Sequence, residues 1–201
     1  MAERSRRVYA GPWRVDVTIR DGVRGVPVAV MALARSIARA LDAAGAPSPA
    51  SIGLILSDDA ELAELNEAHM GKPGPTDVLS FPLLPPGVFP AHEGSPSVDR
   101  GFILPPGPAA FVLPPGPTAF VLPPGTRPHL GDIVVSVERA VEQASEGRGG
   151  WTSDIRWSPA EELRLLVTHG ALHVCGWDHA EPAEEAAMRA LERELLEIGS
   201  S

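Results

Sequence analysis

The chain holds a single cysteine, Cys175, among 201 residues. One thiol cannot form an internal disulfide, which excludes a disulfide-stapled secreted scaffold and points to a reducing, cytoplasmic setting. Long apolar runs are missing as well. No segment reaches the roughly 18 consecutive apolar residues of a membrane-spanning helix, so no membrane association is expected. The stretch Met1-Ala-Glu-Arg-Ser-Arg-Arg7 lacks the apolar segment of a signal peptide. Positive charge is scarce: 17 Lys and Arg stand against 26 Asp and Glu, a net charge of −9. Such a balance argues against a surface that coats nucleic acid broadly. The deficit is uneven, however. Residues 1–24 hold six Arg against Glu3, Asp16 and Asp21, while residues 180–201 hold six Glu against Arg189 and Arg193. A local basic face and a merely solvated surface are both compatible with that distribution.

What is present suffices for one domain with a sizeable core, at 44% hydrophobic residues. Trp13–Ile19 alternates apolar and polar residues, as a half-buried strand does. Pro27 opens a helix with Val30, Leu33, Ala34, Ile37 and Leu41 at helical spacing, and Ile52–Leu56 reads as a buried strand. Asp58 and Glu61 suggest a capping box for a short helix carrying Leu62 and Leu65. A short strand is expected over Asp77–Phe81, with His129–Ser136 as the strand beside it. Val137–Ala144 reads as a helix. Ser158-Pro-Ala-Glu161 combines an N-cap Ser, a first-turn Pro and a Glu, opening a helix that runs to about Cys175. A last helix starts at Pro182, with Met188, Leu191, Leu195 and Ile198 on one face. The expected fold is α/β (α+β): a single compact domain with a small mixed four-stranded sheet and packed helices.

Residues 83–128 interrupt this order. They are rich in Pro and Gly and carry a nine-residue repeat, Ile103-Leu-Pro-Pro-Gly-Pro-Ala-Ala-Phe111 followed by Val112-Leu-Pro-Pro-Gly-Pro-Thr-Ala-Phe120. Proline at this density forbids a helix or a central strand, so the segment reads as an inserted loop. A ligand for a proline-recognising partner is the functional alternative to a tolerated surface loop. On the loop reading, deleting residues 85–126 should leave thermal stability and metal content nearly unchanged.

The informative motif is His169-Gly-Ala-Leu-His173-Val-Cys-Gly176-Trp-Asp178-His179. Four residues along a helix return to nearly the same face, so His169 and His173 point together. Gly176 can end the helix and swing His179 back toward them. Three nitrogen donors leave a fourth position for water, the arrangement of a catalytic metal; zinc suits it first, and nickel or copper also accept imidazole. A hydrogen-bonded histidine cluster is the structural alternative. Cys175 should face away from this centre. Asp178 is placed to orient a ligand or to receive a proton, although the catalytic base is not identified. The glutamate that follows the first His of the common zinc proteases is absent, its place taken by Gly170. His69, His92 and His129 have no such spacing.

Three motifs in this order resemble those of the YbeY endoribonucleases, the bacterial rRNA maturation factors: Pro75-Thr-Asp-Val-Leu-Ser-Phe-Pro82, Leu130-Gly-Asp-Ile133 and the histidine motif. The resemblance covers nearly the whole chain apart from residues 83–128. It implies a compact α/β fold in which His169, His173 and His179 hold one zinc ion. It also implies a single-strand-specific endoribonuclease acting in 16S rRNA 3′-end maturation and ribosome quality control, with the small ribosomal subunit or its proteins as partners. Thr76, Asp77, Ser80 and Asp132 are candidates to shape the cleft, against a simpler role in turn and strand-end hydrogen bonding. The sequence departs from the family where an Arg often precedes the Pro-Thr-Asp loop. Met70 stands there, so either Lys72 substitutes for the guanidinium or the RNA is held differently. Two other functions fit a three-histidine site: a metal hydrolase of another class, such as a peptidase or amidase, and a non-catalytic ribosome-assembly factor with a structural metal.

Overall fold

A computed structural model describes residues 3–92, 127–146 and 157–197. The sheet has five strands rather than the expected four: β1 (Arg4–Ala10), β2 (Trp13–Ile19), β3 (Ser51–Ser57), β4 (Val78–Pro82) and β5 (His129–Ser136). The additional one, β1, is an edge strand whose first four residues are exposed, so no apolar alternation announces it. Cross-strand pairing forms it instead. It runs antiparallel to β2 in a tight hairpin, with Arg7 bonded to Asp16 at 3.1 Å. The strand order is β1-β2-β3-β5-β4; β2, β3 and β5 are parallel, and β4 closes the far edge antiparallel to β5. The sheet is therefore mixed, as expected, with β4 beside β5.

Five α-helices lie among the described residues: α1 (Val30–Ala43), α2 (Asp59–Met70), α3 (Val137–Glu146), α4 (Pro159–Val174) and α5 (Pro182–Glu197); α1, α2 and α4 pack on the sheet, and α3 and α5 pack on α4. Leu33, Ile37 and Leu41 of α1 are fully buried on the stripe that the spacing defines. α2 begins with half a capping box. The Asp58 side chain accepts from Glu61 N–H at 3.0 Å, but the Glu61 carboxylate turns to Arg20 and Ser57. On α5, Met188 and Leu195 are buried, whereas Ile198 lies outside the described residues.

α4 is the central helix. It packs against β4, β5, α1, α3 and α5, and Leu163, Leu166, Val167, Ala171 and Leu172 are almost wholly buried. Its start carries the full capping box, with Ser158 Oγ accepting from Glu161 N–H and the Glu161 carboxylate accepting from Ser158 N–H at 2.7 Å. Opposite, across the sheet, α2 covers only a small cluster of Leu62, Leu79 and Val134.

The proline-rich repeats fall outside the described residues. The ends of that segment do not. Phe89 is only 7% exposed and joins the core cluster, and the partly buried Leu84 packs against that cluster. The His92 ring stacks on Trp177 with centroids 3.9 Å apart. At the other end Ser51 N–H donates to Pro128 O at 2.8 Å, and Arg127 lies over the Tyr9 ring. A deletion from residue 85 therefore removes a core side chain, which corrects the expectation that it would be silent.

Candidate metal centre

The centre is built by the end of α4. Gly176 adopts φ +84° and closes a Schellman turn: Gly176 N–H donates to His173 O at 3.0 Å, and Trp177 N–H donates to Leu172 O at 3.1 Å. That reversal carries His179 back toward His169 and His173. One donor atom from each imidazole lies within 4.8 Å of the other two. The His169 and His173 rings meet edge to face at 4.5 Å, and His179 stands 5.5 and 5.0 Å from them.

The donor chemistry fits a metal ion. His169 Nε2 and His173 Nε2 are 3.1 Å apart; two nitrogens held by one tetrahedral zinc at bonds of ~2.0–2.1 Å stand about 3.3 Å apart. His173 is pushed down to about 4, by burial first and then by neighbouring His169 and His179. It is therefore neutral at physiological pH and has a lone pair to give. His169 Nδ1 lies 2.7 Å from Glu192 Oε1. Carboxylate oxygens accept, so Nδ1 is the donor and Nε2 is left bare toward the other two rings. Cys175 is buried, and burial pushes its thiol up to about 12, so it offers no thiolate.

Gly170 has a packing reason. A Cβ there would sit 2.6 Å from Ile133 Cγ2, and Ser80 Oγ donates to Gly170 O at 3.1 Å. The helix touches the sheet at this point and leaves no room for a protease-type glutamate. Ser80 thus lies beneath the centre, in the contact between β4 and α4.

A pocket of about 240 Å³ opens beside the imidazoles. His169, His179, Asp77 and Glu192 line it, with Leu165, Leu166 and Met188 as the apolar wall and Glu185 and Arg189 at the α5 side. Asp77 is fixed there: Oδ1 accepts from Val78 N–H at 2.9 Å and from Thr76 Oγ at 3.3 Å, and Oδ2 accepts from Gln143 at 3.2 Å. Asp178 caps the turn, accepting from His179 N–H at 2.8 Å, and its side chain is exposed. Lys72 lies in the exposed α2–β4 loop and is not on the pocket wall. Asp132 is placed elsewhere. Val78, Ser80 and Ile133 face α4, so Asp132 and Val134, of opposite parity on β5, face the other side of the sheet. There Asp132 Oδ1 meets His129 Nε2 at 3.1 Å.

Sequence reasoning missed Glu192, Gln143 and the α5 wall. A signal for Glu192 exists: it is four residues after Met188 and three before Leu195, inside the buried stripe of α5, where an acid is out of place.

The fold and site define an α/β domain built around a three-histidine group able to hold a metal ion. Residues 21–199 match the family described as Endoribonuclease YbeY. The Endoribonuclease YbeY of Mycolicibacterium gilvum is 35% identical over 185 residues, spanning 91% of this chain and 81% of its own length. That of Salinispora tropica is 41% identical over 182 residues, 90% of this chain and 93% of its own. A solution structure of a Thermotoga maritima protein, 20% identical, shares the fold with a TM-score of 0.50 over 92% of this chain and 88% of that one. The chain belongs to the YbeY endoribonuclease family, and with it to the nucleases that hydrolyse phosphodiester bonds.

Proposed function

We propose that this protein is a zinc-dependent endoribonuclease that cuts single-stranded RNA in the cytoplasm, acting in 16S rRNA 3′-end maturation and ribosome quality control, with the small ribosomal subunit or its proteins as partners. One observation carries the reading: three imidazole donors converge, and two of them, His169 and His179, line a pocket that also holds apolar and cationic groups. His169, His173 and His179 would hold the ion, which when bound supplies Lewis acidity toward a phosphoryl oxygen and lowers the pKa of water.

The chain's own residues do the rest. Asp77, held by its hydrogen bonds, shapes the wall facing the imidazoles. Arg189 is the cation on that wall, and its ion pair with Glu185 is solvent-exposed, so a phosphate can replace the carboxylate at little cost. Leu165, Leu166 and Met188 offer an apolar surface for an unstacked base. A single strand suits such a pocket, because its unpaired bases are free to meet the apolar wall. The test is incubation of purified protein with single-stranded and duplex RNA, beside His173→Ala. Cleavage of the single strand by the wild type alone is expected; equal cleavage by the variant would refute the reading.

A further inference from the structure

We propose that Glu192 is a positioning residue of the metal centre: from α5 its carboxylate accepts a hydrogen bond from His169 Nδ1 and thereby aims Nε2 at the ion. The inference rests on the reading that the three histidines hold a metal. Its basis is separate from the histidine spacing, because Glu192 is 23 residues further along, on a different helix.

Glu192 is 4% exposed, and His169, at 2.7 Å, is its hydrogen-bonded partner among the described residues. An acid buried this deeply is costly unless a donor meets it. Met188 and Leu195 flank it on the same stripe, so packing alone would be served by another apolar residue. Glu184, the other buried acid of α5, has an ordinary role: it caps the helix start by accepting from Glu181 N–H at 3.2 Å. Glu192 instead reaches across to α4. An imidazole whose Nδ1–H is held by a carboxylate keeps one tautomer and one ring orientation and becomes a more basic ligand. α5 thus completes the centre although it carries none of the three histidines.

The experiment is zinc competition against a chelator for wild type, Glu192→Ala, Glu192→Gln and Glu184→Gln, with long-range nitrogen NMR of the metal-free proteins. Glu192→Ala is expected to bind zinc about 10–100-fold more weakly. Glu192→Gln, whose amide oxygen still accepts, should lose less, and Glu184→Gln should match wild type. Wild-type His169 should carry its proton on Nδ1, and Glu192→Ala should lose that preference. Unchanged zinc affinity in both Glu192 variants, or a wild-type proton on Nε2, overturns the proposal; so does a wild type that binds no zinc. If Glu192→Ala fails to fold, the Gln variant decides. Weakened zinc binding in a protein that cuts no RNA would leave this inference standing and remove the proposed function. RNA cleavage with undiminished zinc affinity in the variants would do the reverse.

Discussion

On the α4 face of the sheet three histidines meet within one helical turn and its reversal, while on the opposite face His129 meets Asp132 at 3.1 Å. Both constellations come from short motifs with polar residues at strand or helix ends. Their surroundings differ. The α4 face supplies a capped and buried helix, a glycine pressed on Ile133, and a Schellman turn that dictates where His179 lands. The other face leaves the His129 and Asp132 side chains 36% and 41% exposed, where water competes with their contact. Convergence enforced by packed backbone makes a site; proximity at a wet surface makes a surface pair.

The largest expected effect falls on the α4 face. His173→Ala should weaken zinc binding by more than the roughly 100-fold that loss of an outer partner can cost and should abolish RNA cleavage. Asp132→Ala should change neither measurably. Chelator competition on the two variants would break the comparison if they behaved alike.

The next effect concerns the start of the proline-rich segment, whose Phe89 enters the same core. Deletion of 85–126 is expected to cost about 3–5 kcal/mol, the range for losing a buried phenylalanine, as read by denaturant unfolding. Deletion of 93–126 should leave the midpoint nearly unchanged.

A pair of glycine substitutions compares the faces directly. Gly170→Ala forces a methyl against Ile133 and should destabilise by about 1–3 kcal/mol. Gly53→Ala meets the end of the Asp132 carboxylate, which can swing into solvent, and should cost less than about 1 kcal/mol. Equal losses in thermal unfolding would contradict the assignment of the faces.

The smallest effect is a null one. With the Cys175 thiol pushed up to about 12 by burial, a thiol-alkylating reagent at pH 8 should label the native protein hardly at all and the unfolded protein fully. Because the folded value lies above the ordinary thiol value of 9.0, the contribution to stability is complete below pH 9 and is lost as pH rises toward 12.

Much of this was legible in the residues themselves. His169 and His173 share a face by helical geometry alone, and Gly176 marked the reversal because a positive φ suits glycine. Residues that owe their place to tertiary contact were not legible. β1 is held by its hairpin partner rather than by an apolar pattern, and the side of the sheet that Asp132 takes depends on the parity of β5 against α4. Phe89 and His92 belong to a stretch whose proline content reads as loop, yet they dock.

That docking sets the chain's tolerance to length. Before the repeats, Phe89 is anchored in the core and His92 against Trp177; after them, Pro128 is tied to Ser51 and Arg127 to Tyr9. Two moorings bracket the repetitive stretch. The nine-residue units fall wholly between them, so gain or loss of a unit removes none of the residues that make these contacts or the turn that carries His179.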